Sequence, residues 1–153
     1  MDRINFRVLE KFSKDIERGF RPEVGHKINR NEVELLFLVD EKPDMPFKEY
    51  GHILHLEKSS FTYLVDLLEA KDLAIKLDDE IDKRKKSIVL TEKGKKTVEM
   101  LEVQHHEFMQ KRLSLFSKEE FESLKQAVEV IESLEKKLPR DPKHPKHRDH
   151  YND

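Results

Sequence analysis

The chain has no cysteine and only four glycines among its 153 residues. Without cysteine there is no disulfide framework, no thiolate zinc site and no thiol redox switch. Four scattered glycines make no glycine-rich phosphate loop, and no serine–histidine pair or paired carboxylates stand in a catalytic motif. The stretch Ser114 to Ser117 fails as an S-x-x-K nucleophile because serine occupies the lysine position. The expectation is that the protein is not an enzyme. No apolar run approaches the ~20 residues needed to cross a bilayer. The N-terminal MDRINFRVLEKFSKD alternates charge with apolar residues too regularly for a signal peptide. A cytoplasmic protein without a membrane partner is expected.

What is present is charge. Charged residues make up 41% and hydrophobic ones 36%, with a mean hydropathy of -0.81. That balance suits one helical domain with long solvated faces, and the length allows a real core. The net charge is only -2, so any nucleic-acid role must come from local segregation of charge.

Leu9, Phe12, Ile16 and Phe20 step by three and four residues, as one helix face does, until Arg21-Pro22 and Gly25 break the pattern. Asn31 is placed to cap a second helix through NEVELLFLV, with Glu34 three residues on. Pro43 and Pro46 precede a third helix, about Phe47 to His55, and a turn near Leu56 to Lys58 leads to a fourth from Ser59 to about Lys71. Phe61, Leu64, Val65 and Leu68 mark its buried stripe.

The period then falls to two: Leu73, Ile75 and Leu77 alternate, as do Ile88 and Leu90. Two strands are expected, joined by DDEIDKRKK (residues 78–86), in which four acids balance four bases. Thr91 caps a long fifth helix, and Ser117 with Glu120 forms a capping box before a sixth. The sixth carries Phe121, Leu124, Val128, Ile131 and Leu138 on one face. The tail, residues 139–153, is rich in proline and holds one sizeable apolar side chain, Tyr151, so it is expected to be disordered. The fold class expected is mainly α with a small β-hairpin (α+β). Two short helices at a tight turn, then a hairpin, make a winged helix-turn-helix whose fourth helix would enter a major groove.

The stretch SSFTYLVDLLEAKDLAIKLDDEIDKRKKSIVLTEKGKK resembles the core signature of the MarR family of bacterial transcriptional regulators. The matching positions are Ser59, Ser60, Thr62, Val65, Asp66, Leu68 and Glu69 in the fourth helix, Asp82 and Arg84 in the wing, and Leu90, Thr91 and Gly94 beyond it. The resemblance covers roughly residues 1 to 138. It implies an obligate homodimer that binds a pseudo-palindromic site in duplex DNA. The dimerisation helices would lie in 1–25 and 95–138 and the winged helix-turn-helix in 31–94. Leu9, Phe12, Phe108, Phe116, Phe121, Leu124 and Ile131 would form the interface; these residues are also more apolar surface than a compact winged domain needs.

The resemblance further implies that Arg84 enters a minor groove, held by Asp82, a place where a guanidinium is favoured by concentrated negative potential. Lys85 and Lys86 are suited to phosphates. Lys58, Ser59, Ser60 and Thr62 sit at the start of the recognition helix, where hydroxyls and free amides suit phosphate oxygens. Tyr63 lies off the buried stripe and is a candidate for base-edge or backbone contact. The chain departs from the family at Tyr63 and Leu67, where arginine or another polar residue is common, and at Asp72, which replaces a usual glycine.

A small-molecule effector is a further implication. No cofactor and no metal are expected, but a zinc-responsive regulator is an alternative reading. His105, His106 and Glu107 lie in the helix that would serve it, although Met109 and Gln110 stand where a second histidine is wanted. Pro142 and Pro145 oppose a helical H-x-x-H-x-x-H in the tail. A winged-helix adaptor that does not read DNA is the remaining alternative, motivated by a recognition helix without arginine.

Overall fold

In the computed structural model, residues 4–78 and 86–138 are described. They form α1 (Arg7–Ile16), α2 (Arg30–Glu41), α3 (Phe47–Ile53), α4 (Lys58–Ala70), β1 (Ala74–Asp78), β2 (Lys86–Leu90), α5 (Glu92–Leu113) and α6 (Lys118–Glu135). The strands pair antiparallel, from Ala74↔Leu90 at the base to Asp78↔Lys86 at the far end. The expected tail (139–153) and the wing residues 79–85 lie outside the described residues.

The chain divides into two units. One holds residues 23–78 and 86–102, the other 4–22 and 103–138, so the division falls inside α5. The reason is visible in α5 itself: Gly94, Thr97, Val98 and Leu101 are buried, and they belong to the core of the first unit. That core is built on Leu35, Leu36 and Val39 of α2, Tyr50 of α3, Val65 and Leu68 of α4, Leu73 before β1 and Ile88 of β2.

Helix α2 starts at a cap other than the one expected. Asn29, not Asn31, accepts the Glu32 amide at 3.0 Å, and Glu32 returns a carboxylate oxygen to the Asn29 amide at 2.8 Å. Glu32 is fully buried, and its other oxygen meets Lys71 Nζ, which also donates to the Lys27 carbonyl at 2.7 Å. Glu34 instead pairs with Arg30 at 2.6 Å on the surface. Helix α1 is also shorter than its apolar period: it ends at Ile16, and Gly19, at φ +93, turns the chain before Phe20. Phe20 then meets the rings of His105 and Phe108, 5.2 and 5.4 Å away.

The hairpin corrects a third expectation. Leu73 and Ala74 are buried, yet Ile75 and Leu77 are each 45% exposed. The inward parity is that of Ala74 and Lys76, matched across the ladder by Leu90 and Ile88.

Thr91 and Ser117 cap as the sequence indicates. Thr91 Oγ1 accepts the Gly94 amide at 2.9 Å and donates to the Asp72 carbonyl at 2.6 Å. A Cβ on Gly94 would stand 1.9 Å from the Leu73 carbonyl oxygen, so only glycine lets α5 start this close to the turn before β1. Ser117 and Glu120 form the reciprocal box that opens α6.

Candidate nucleic-acid interface

The two helices of the helix-turn-helix are set by one close approach and two matched stops. Gly51 of α3 is buried where a Cβ would come within 3.1 Å of the Phe61 ring. Phe47 meets that ring edge-on with centroids 4.8 Å apart. Helix α3 ends with His55 at φ +54; its amide donates to the His52 carbonyl at 3.1 Å and the Leu56 amide to Gly51 at 3.0 Å. Helix α4 ends the same way. Asp72 sits at φ +59, its amide donates to Glu69 and that of Leu73 to Leu68, both at 2.9 Å. Both are Schellman stops with a residue other than glycine in the left-handed position.

The stripe expected in α4 is the buried one: Phe61, Leu64, Val65 and Leu68. Outward stand Ser59, Ser60, Tyr63, Asp66 and Ala70, with Tyr63 64% exposed. The first turn of α4 carries no acidic residue and no side chain caps it. The amides of Lys58, Ser59 and Ser60 therefore face outward at the positive end of the helix, beside the exposed Lys58 side chain. Thr62 differs from its neighbours: its hydroxyl donates back to the Lys58 carbonyl at 2.9 Å, leaving it only lone pairs to offer.

Sequence reasoning missed what holds the hairpin to this helix. Lys76, on the inward face of β1, pairs with Asp66 and lies 3.2 Å from Glu69 Oε2. The Lys76 amide donates to Glu69 Oε1 at 2.7 Å. The Lys76 ammonium is held charged above its ordinary range, chiefly by the hydrogen bond it donates to Asp66 and despite its desolvation. A half-buried lysine needs carboxylate partners, but the alternation alone does not say that the Lys76 side of β1 is the inward one. Of the residues assigned to the wing, Lys86 is exposed at the end of β2, while Asp82, Arg84 and Lys85 lie outside the described residues.

The apolar residues assigned to self-association fall in the other unit. Leu9 and Phe12 are on α1, Phe108 on α5, Phe116 just after it, and Phe121, Leu124 and Ile131 on α6. Phe12 and Phe116 are 6.4 Å apart. Neither α1 nor α6 buries any residue. The same unit has a shallow cleft of about 220 Å³ between Phe20, Arg21, Phe108 and Lys111. Among the described residues, no group of three or more histidines and carboxylates stands where it could hold a metal ion. No helix among them is long and apolar enough to cross a membrane.

The MarR family model matches residues 28–86, from before α2 to the start of β2. The chain is 33% identical over 118 residues to the HTH-type transcriptional regulator MhqR of Bacillus subtilis, covering 76% of this chain and 81% of that one. The chain belongs to the MarR family. A MarR-family protein is a transcriptional regulator and not an enzyme. Solved structures agree on the fold. The transcriptional regulator PA4135 superposes with a TM-score of 0.76 at 19% identity, over 90% of this chain and all (100%) of that one. The MepR–DNA complex of S. aureus superposes with a TM-score of 0.61 at 21% identity, over 86% of this chain and 98% of MepR.

Proposed function

We propose that this MarR-family regulator is a homodimeric repressor that binds a pseudo-palindromic site in duplex DNA and is released from it by a small molecule. The start of α4 carries the reading. Uncapped amides, two serine hydroxyls and Lys58 share one exposed helix end, the chemistry that takes phosphate oxygens while the helix lies in a major groove. The strands end at Asp78 and Lys86, and in this reading Arg84, two residues after Asp82 in the sequence that joins them, takes the adjacent minor groove. Lys85 and Lys86 add phosphate contacts. The likeness to MepR, whose structure is a DNA complex, supports this use of the fold.

The homodimer is supported by the apolar faces of α1 and α6, which one chain leaves open. Pairing them sets two α4 helices against half-sites one turn of DNA apart, about 34 Å. An effector that prefers a different spacing shifts the population away from the bound form. The cleft lined by Phe20, Arg21, Glu107, Phe108 and Lys111 suits a small aromatic molecule. Such a regulator works where the chromosome is, in the cytoplasm.

The test is a fluorescent duplex titrated with wild type and with Arg84→Ala across a range of salt. Affinity should fall steeply with salt, and the substitution should cost about 1–3 kcal/mol. Absence of binding at low salt would instead leave a winged-helix adaptor, the reading that an arginine-free recognition helix favours. Repeating the titration with zinc and with a chelator decides the metal-responsive alternative; identical curves dismiss it.

A further inference from the structure

We propose that α4 selects its site through the C5-methyl groups of thymines, gripped by Tyr63 and Leu67, so that base preference is carried by A·T pairs in the major groove. This rests on the DNA-binding reading above and specifies it.

The argument is one of elimination over the exposed face. Base edges in the major groove are told apart by bidentate arginine or lysine at guanine, asparagine or glutamine at adenine, and carboxylate at cytosine. Helix α4, KSSFTYLVDLLEA, has no arginine, asparagine or glutamine. Its one lysine, Lys58, is the first helical residue, among the uncapped amides, where a phosphate rather than a base is the natural partner. Its two carboxylates are committed elsewhere. Lys76 of β1 pairs with Asp66 and, through both ammonium and amide, with Glu69. The one ammonium offsets part of their charge and holds both toward the hairpin, which lessens their repulsion of phosphates nearby.

What remains outward is small or apolar. The Ser59 and Ser60 hydroxyls donate and accept alike, so they discriminate poorly between bases. The Tyr63 side chain is 64% exposed at the centre of the face. Leu67 follows it one turn later, half-buried. Against such groups the distinguishing feature of a base pair is the thymine methyl, the one apolar group in the major-groove pattern. Ala70, exposed at the end of the same face, adds no polar competitor.

The experiment begins with wild-type protein and a pool of randomised duplexes, from which the preferred duplex is selected. That duplex is remade with deoxyuridine replacing thymidine at one position at a time, which removes only the methyl and leaves the protein untouched. Selected sites should carry thymines in each half-site. Uracil at a contacted position should weaken binding about fourfold, the effect of one buried methyl group. Tyr63→Ala and Leu67→Ala should each lose the discrimination at one thymine, while Tyr63→Phe keeps it, because the ring and not the hydroxyl makes the contact. If uracil binds as tightly as thymine at every position, or its penalty is unchanged in both alanine variants, the thymine reading is overturned and DNA binding stands. A shift of base preference in Asp66→Asn with no uracil effect would overturn it in favour of direct carboxylate readout. If wild type selects no duplex even at low salt, both readings fall together.

Discussion

The two units solve the problem of apolar surface in opposite ways. Among the described residues, every buried hydrophobic one, from Val24 to Leu101, lies in the winged unit. The terminal unit has Ile4, Phe6, Val8, Leu9 and Phe12 at one end of its sequence and Phe121, Val128, Ile131 and Leu134 at the other, all at least 38% exposed. Their number is not small, yet neither α1 nor α6 buries any residue. A helix such as α6, apolar along one face and burying nothing, is not stable by propensity alone. The winged unit therefore draws its stability from its own chain, and on the proposed homodimer the terminal unit would draw its own from a second copy. The former should be insensitive to protein concentration and the latter dependent on it.

The largest effect should come from breaking that dependence. Leu124→Asp with Ile131→Asp places two carboxylates on the open face of α6, where pairing would bury them without partners. Light scattering should report a monomer, and affinity for a two-half-site duplex should fall by about a hundredfold or more as bivalent binding is lost. Amide exchange around Leu35 and Leu68 should stay slow, since the winged core is closed without the dimer. A double variant that remains dimeric, or a winged core that melts with it, would sink the distinction.

Next comes a lesion confined to the winged unit. In Gly94→Ala the new Cβ meets the backbone of Leu73, with oxygen at 1.9 Å and carbonyl carbon at 2.9 Å. Backbone cannot rotate aside as a side chain can. The turn is also pinned, because the Thr91 amide donates to that same Leu73 oxygen at 3.1 Å. Overpacking here should cost about 3 kcal/mol, read as a fall in the urea midpoint of the winged unit with the mass of the folded dimer unchanged. A loss below about 1 kcal/mol would mean the turn gives way more easily than its hydrogen bonds suggest.

How far the sequence revealed this follows from how local each feature is. The α4 stripe and the caps at Thr91 and Ser117 depend on residues three or four apart, and all appear as read. The α2 cap was ambiguous because NRNE and NEVE both satisfy the pattern of asparagine followed three residues later by glutamate. Asn29 wins because Glu32 is the one buried, and it is held by Lys71, 39 residues away. Strand alternation likewise gave parity without direction. The side with Lys76 faces inward only because Asp66 and Glu69 on α4 receive it, and Ile75 and Leu77 are left outside. Phe20 kept the helical period of α1, but period does not register a turn at Gly19. Of the candidate interface, the α4 half was legible. The Lys76 clasp was not, since no short motif joins a strand lysine to a helix.

A third effect is expected only at alkaline pH. Tyr50 is fully buried and its hydroxyl donates to the Lys42 carbonyl at 2.5 Å. Burial pushes its ionisation upward, and the charge of Asp44 adds to the shift. Lys76 is also raised, chiefly by Asp66. For both, the folded pKa lies above the unfolded value, so the stability each contributes is present below pH ~10 and lost as pH rises through the folded value. The winged unit should weaken in that window while dimerisation holds. Tyr50→Phe should cost about 1 kcal/mol at neutral pH, since the Lys42 carbonyl loses its donor. It should also flatten the alkaline fall in the urea midpoint, and an unchanged slope would rule Tyr50 out as its source.

The smallest effect is a gain. Asp72 holds the left-handed position at φ +59, so the Schellman stop of α4 carries a Cβ that glycine lacks. Asp72→Gly relieves that conformation but gives the unfolded chain more freedom to lose. The two terms nearly offset, and the expected net gain is about 0.5 kcal/mol. The amides of Asp72 and Leu73 and the Asp72 carbonyl that receives Thr91 are backbone groups, so the substitution leaves their bonds in place. The gain should therefore raise the urea midpoint of the winged unit and leave the dimer dissociation constant where it was. Movement of both together would show that the terminal helices borrow stability from the winged core, and that the two units are less independent than their burial implies.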